Sequence, residues 1–196
     1  MMPDGKKGCD QLGHDIGVVT SKSRRTRWQL AQDYELNWWK GYDTGIDWYR
    51  IFSEEVERYT TPFLKISNNT RILEIGSGPA GALTFLHSDN KYAIDPLEDF
   101  FATKPEWVQH RDPRVKYQKG KGEALPYHDS FFDLIILDNV LDHCEKPVLV
   151  LDEIDRVLNM GGIIFFRQNL YSWWGRRMRG IMEMLTIDRE IGRAHV

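Results

Sequence analysis

The chain has 196 residues, 41% of them hydrophobic and 28% charged, a balance that suits one soluble globular domain and excludes wholesale disorder and collagen-like architecture. The net charge of −3 is uneven: residues 1–27 and 167–196 each hold six Lys/Arg against three acids, leaving 14 basic and 23 acidic residues between them. That acidic centre argues against a nucleic-acid-binding body; it is either ordinary solvated surface or the setting of a site that meets a cation.

Residues 1–25 are polar and aperiodic and are expected to be a disordered tail. They hold no apolar segment of signal-peptide type, and no run of about 18 apolar residues follows anywhere, so no membrane span is expected. Cys9 and Cys144 are too few for a disulfide framework and lack metal-ligand spacing, so no metal is expected and a reducing cytoplasm is the expected compartment. From Trp28 the character changes. Trp28, Trp38, Trp39 and Trp48 fall close together, and Tyr49, Phe52, Val56 and Tyr59 recur at helical steps until Pro62. Residues 26–66 are therefore expected to form aromatic-rich helices that act as a cap on the domain that follows.

Strand and helix patterns then alternate. Arg71-Ile-Leu-Glu-Ile75, Tyr92-Ala-Ile94, Val115-Lys-Tyr117, Phe132-Asp-Leu-Ile-Ile-Leu137 and Ile163-Ile-Phe-Phe166 read as strands. Leu134 to Leu137 are apolar without alternation, as a strand buried on both faces of a parallel sheet requires. Helices are expected from Ala80 to His87 and from Leu97 to Ala102. A third carries the stripe Val150, Leu151, Ile154, Val157 and Leu158, and is ended by Asn159-Met-Gly-Gly162. This alternation predicts a doubly wound, mostly parallel Rossmann-like α/β fold over residues 67–189.

The first strand runs into Glu74-Ile-Gly76-Ser-Gly78-Pro-Ala-Gly81, and the second ends at Asp95, nineteen residues after Gly76. Glycines at a strand-to-helix turn let a ligand approach the backbone, and an acid at the next strand end can accept from both ribose hydroxyls of a nucleoside. The pattern serves a dinucleotide or S-adenosylmethionine equally. With Gly122-Glu-Ala-Leu-Pro-Tyr127, Ser130-Phe-Phe-Asp-Leu-Ile135, Asp138-Asn-Val-Leu-Asp-His143 and Arg156-Val-Leu-Asn-Met-Gly-Gly162 in order behind it, the chain resembles the class I S-adenosylmethionine-dependent methyltransferases, in particular their small-molecule members.

The resemblance implies S-adenosylmethionine as cofactor and methyl transfer to a small-molecule O or N nucleophile. It implies that Glu74 anchors the glycine loop near the methionine amino group. Gly76, Ser77, Gly78 and Gly81 would pack on the methionine and ribose, Asp95 would hold the ribose hydroxyls, and Pro96 and Leu97 would flank adenine. Gly122 and Glu123 would edge the adenine, and Asp138 and Asn139 would lie beneath the methionine group. Lys121 departs from the pattern: the family often has there an Asp that contacts the adenine amino group, and a lysine cannot accept a hydrogen bond. Asp133 is expected to fix the turn into the fourth strand.

Methyl transfer needs a base only when the acceptor must lose a proton. His143, just past the fourth strand, is either that base or a histidine packed under the cofactor loop. The acceptor pocket is expected to use Trp38, Trp39, Tyr42, Arg167, Gln168, Asn169 and Tyr171, although the tryptophans could instead pack helix on sheet. Trp173 and Arg176 offer either peripheral membrane contact or a solvated helix face. Two rivals stand beside methyl transfer. One is a nicotinamide-dependent oxidoreductase or epimerase, for which Tyr117 and Lys121 have the spacing but not the placement on one helix. The other is a non-catalytic ligand-binding member of the fold. Residues 190–196 read like translation of a sequencing adapter, so a truncated chain lacking the family's last two strands is expected.

Overall fold

The computed structural model describes residues 26–41 and 45–169. Five strands, β1 (Arg71–Ile75), β2 (Asn90–Asp95), β3 (Val115–Lys119), β4 (Phe132–Asp138) and β5 (Leu158–Arg167), form one sheet in the order β3-β2-β1-β4-β5. Every pairing is parallel, as the doubly wound reading requires. The order reverses between β1 and β4, and the crevice at such a switch point, outside the carboxyl ends of the strands, is where this architecture binds ligands.

Strand periodicity sorts the core into two layers. Ile72, Leu134 and Ile136 face one side with Phe52, Val56 and Leu83. Leu73, Ile75, Ile135 and Leu137 face the other with Val150, Ile154 and Val157. Helix α1 (Arg27–Trp39) starts at a capping box: the Gln29 amide donates to the Thr26 hydroxyl at 3.2 Å and the Thr26 amide donates to the Gln29 side chain at 2.9 Å. Helix α2 (Ile46–Thr60) ends two residues before Pro62 and buries Tyr49, Phe52, Ser53, Val56 and Thr60. Tyr59, expected on that face, is exposed, because the buried stripe turns to Thr60. Helices α3 (Glu98–Phe101) and α4 (Pro105–Val108) are single turns after β2, and α5 (Pro147–Val157) leads into β5.

Two expected elements differ. Residues 80–87 form only a 3-10 turn, Ala82–Thr84. Side chains take the backbone groups a helix would pair: Ala82 and Leu83 amides donate to Glu74, and the buried Lys91 ammonium donates to the carbonyls of Leu83 (2.8 Å) and Leu86 (3.0 Å). Residues 159–162 do not form a turn ahead of the last strand. β5 already begins at Leu158, pairs with Phe132, and absorbs an irregularity before Ile163, with Gly161 at φ +81°. Asp133 ties these starts together, accepting from the Arg71 amide at 2.8 Å and the Asn159 side chain at 2.6 Å. No helix among the described residues is long and apolar enough to cross a membrane. The expected tail over 1–25, Tyr42, the stretch from Tyr171 through Trp173 and Arg176, and the adapter-like residues 190–196 lie outside the described residues.

Candidate functional site

A cavity of about 360 Å³ opens at the carboxyl ends of β1, β2 and β4, walled on its far side by α1 and α2. Its floor is the glycine loop after β1. Gly76, Gly78 and Gly81 all have φ between +60° and +72°. A Cβ on Gly76 would lie 2.6 Å from Val140, and one on Gly81 would lie 2.5 Å from the Glu74 carboxylate. At Gly78 the space is ordinary and only the backbone conformation demands glycine.

Two buried acids hold this loop. Glu74 accepts from the amides of Ala82 (3.1 Å) and Leu83 (3.2 Å), and burial pushes its carboxyl up to about 8. Asp95 accepts from the Gly78 amide at 3.0 Å and the Leu97 amide at 2.8 Å, and burial pushes it up to about 6. Each Asp95 oxygen keeps a second lone pair. Arg111 braces the loop from behind, forking Glu98 at 2.7 and 2.8 Å and donating to the Pro79 carbonyl.

The opposite wall is made of ion pairs. Arg167 gives two bonds to Asp138, 2.7 and 2.6 Å long, and one of 2.6 Å to Glu55, and its guanidinium lies 4.6 Å over the Phe52 ring. Asp138, expected beneath the methionine group, thus faces an arginine. Asn139 (φ +53°) accepts from the Asn169 amide and joins β4 to the end of β5. Glu123, expected at the adenine edge, accepts from the amides of Glu145 (2.8 Å) and Lys146 (3.2 Å) just before α5, a site that favours a carboxylate. Lys121 lies 3.3 Å over the Trp28 ring and 3.7 Å from Glu145.

The cavity brings together Glu74, Gly76, Ser77, Gly78, Asp95, Pro96, Leu97, Gly122, Glu123, Asp138, Asn139, His143, Trp39, Arg167 and Asn169. It does not include Gly81, which packs on Glu74, or Trp38, which packs with Trp39 against the Phe101 and Trp107 rings. Gln168 also stays off the wall, donating to Asp142 and accepting from the Leu141 amide. Sequence reasoning missed Glu35, Gln32, Gly120 and Cys144 as wall residues, and took Trp28, Trp48, Tyr49 and Phe52 only collectively, as part of the capping helices. One signal was available: Trp28, Gln32, Glu35 and Trp39 fall at steps of four, three and four, one face of α1. The Cys144 thiol is held neutral, pushed up to about 12 by burial. Among the described residues no group of acids, histidines and cysteines could hold a metal.

Residues 73–166 match the family model described as a methyltransferase domain. Over 175 residues the chain is 24% identical to a glycine/sarcosine/dimethylglycine N-methyltransferase of Actinopolyspora halophila, covering 81% of this chain and 30% of that protein. It is 30% identical over 115 residues to the thiol S-methyltransferase TMT1B of Mus musculus, covering 57% and 47%. The chain thus spans 30% and 47% of the length of these two curated relatives. The crystal structure of a candidate S-adenosyl-L-methionine-dependent methyltransferase from Methanococcus maripaludis superposes with a TM-score of 0.54 at 19% identity, over 88% of this chain and 80% of that one, and shares the fold.

Proposed function

We infer that this chain is a class I S-adenosylmethionine-dependent methyltransferase and transfers a methyl group from S-adenosylmethionine to a small-molecule O or N nucleophile by in-line displacement. The observation that carries this reading is Asp95. Its carboxylate stands at the end of β2, pinned by the Gly78 and Leu97 amides at the cavity floor, with lone pairs left for two ribose hydroxyls. The residues fit the group: side chains at Gly76 or Gly78 would need strained backbone, and their absence leaves the loop open to close approach. Pro96 and Leu97 give an apolar wall for the base, and Glu74 holds the loop through two amides.

When bound, S-adenosylmethionine supplies an electrophilic methyl carbon on a positively charged sulfur. The protein's work is then mostly alignment and exclusion of water. Trp28, Trp39, Trp48, Tyr49 and Phe52 supply apolar walls for the acceptor side. The cavity's volume of about 360 Å³ supports a small acceptor, as do relatives named for an amine and for a thiol acceptor. The nicotinamide alternative gains nothing here. Tyr117 donates to the Ala80 carbonyl at 2.6 Å while Lys121 lies on Trp28, so the two share no reaction centre.

Calorimetric titration with S-adenosylmethionine, S-adenosylhomocysteine and NAD tests the proposal. Binding of the first two and not of NAD is the expected result. NAD binding alone would overturn it, and a screen with labelled methyl donor over amines, alcohols and thiols separates an enzyme from a binding protein.

A further inference from the structure

His143 is not alone at the cavity wall. Its Nδ1 lies 3.5 Å from the Glu35 carboxylate of α1, and its Nε2 lies 3.6 Å from Asp142 on its own turn. Glu35 is itself oriented, because the Trp39 indole donates to its other oxygen at 3.1 Å. Asp142 is oriented likewise by the Gln168 side chain at 2.9 Å. The imidazole is 42% exposed, on the wall of a cavity that also reaches Asp95. Carboxylates flank both ring nitrogens, and both stabilise the cation that forms when the ring takes a proton. At 3.5 and 3.6 Å neither contact is a hydrogen bond, and the neutral ring keeps one nitrogen lone pair to take a proton.

We propose that Glu35 is a positioning residue that sets His143 to accept the proton of a protic methyl acceptor. The inference rests on the methyl-transfer reading above. In the step, the acceptor atom's electron pair forms the new bond to the methyl carbon, and the sulfur–carbon pair stays on sulfur. The acceptor's proton goes to the unprotonated ring nitrogen of His143. The resulting imidazolium lies between Glu35 and Asp142, with Asp95 of β2 the next acid behind Glu35. Catalysis then depends on α1 lying across the β4 end, because the histidine belongs to one element and its orienting acid to another.

Glu35→Gln keeps an oxygen for the Trp39 indole and removes the charge. Glu35→Asp, which keeps the charge, should restore most of the turnover lost in Glu35→Gln. S-adenosylmethionine affinity by calorimetry should stay within about twofold, as no donor contact is removed. Turnover is assayed with sarcosine, catechol and 2-mercaptoethanol. For whichever is methylated, kcat should fall on the order of tenfold in Glu35→Gln and about a hundredfold in His143→Ala, with the acceptor KM unchanged. An unchanged kcat in Glu35→Gln, no rescue in Glu35→Asp, or a chain that binds S-adenosylmethionine and methylates none of the three overturns the proposal. Failure to bind S-adenosylmethionine overturns the methyl-transfer reading itself.

Discussion

The two walls of the cavity are built by different means. On the β1–β2 side, buried carboxylates bind backbone amides close by in sequence: Glu74 takes those of Ala82 and Leu83, and Asp95 takes those of Gly78 and Leu97. On the α1–β4–β5 side, half-exposed side chains bind each other across long separations: Arg167 with Glu55, His143 with Glu35, Lys121 with Trp28. The first wall is a rigid cradle whose shape is set by the backbone. The second is a set of ion pairs and ring contacts that can change with acceptor without disturbing the cradle.

If that contrast is right, the largest effect belongs to the cradle. Gly81 has φ +72° and ψ 168°, a region essentially closed to other residues, and its missing Cβ leaves room for the Glu74 carboxylate. Gly81→Ala should cost about 1–3 kcal/mol from the backbone alone, with the clash against a buried acid added. Gly78→Ala meets no such clash and should cost about 1–2 kcal/mol. Thermal melts of the two variants check the ranking; equal losses would mean that the Glu74 contact does not shape the loop.

The same wall predicts how the donor binds. Asp95→Ala should weaken S-adenosylmethionine by about 1.5–3 kcal/mol, the range for hydrogen bonds to a charged group. Because an ionised carboxylate is the acceptor and the empty site holds Asp95 near 6, wild-type affinity should fall as pH drops through about 6. Calorimetry between pH 5 and 8 reads both. Asp95→Asn should flatten the profile.

Stability carries a second pH signature. Glu74 is raised to about 8 from an ordinary 4.5, so the folded state holds its proton more tightly than the unfolded chain. The stabilisation this gives is fully present below 4.5 and is lost as pH rises through about 8. The ligand-free protein should therefore melt at a lower temperature at pH 8.5 than at pH 6, and Glu74→Gln should shrink that difference. The same change in melting temperature in the wild type and in Glu74→Gln would show that Glu74 is ionised throughout.

The contrast also explains what was legible in the sequence. The five strands, the glycine loop and Asp95 announce themselves through local pattern, because apolar runs, turn glycines and a strand-end acid do their work within a few residues of one another. The expected helix over residues 80–87 failed for the opposite reason. Lys91, a charged residue inside a strand, reaches back to two carbonyls, and nothing in the local pattern signals that it is buried and paired to Asp112 at 2.6 Å. The same holds for Glu123 and Asp138. Their positions fit a cofactor role by resemblance, yet their partners come from residues 22 and 29 positions away. Glu35 was the legible omission, sharing one helical face with Trp28 and Trp39 while attention went to the adjacent Trp38.

The smallest expected effect falls where this chain departs from the resembled family. Lys121 cannot accept a hydrogen bond, yet it stands on the cavity wall beside Gly122. Its ammonium is engaged elsewhere, 3.3 Å over the Trp28 ring and 3.7 Å from Glu145, so it links α1 to the loop after β3 rather than reaching into the floor. An exposed cation–π contact is worth about 0.5–1 kcal/mol, and the companion ion pair, half in solvent, adds about 0–1 kcal/mol. Lys121→Met should therefore lower stability only slightly and change S-adenosylmethionine affinity by less than about fivefold, while Trp28 fluorescence shifts as its ring loses the cation. Loss of affinity comparable to that of Asp95→Ala would mean that Lys121 itself touches the donor, and the division between a backbone-built cradle and a side-chain-built wall would have to be redrawn with the lysine on the donor's side.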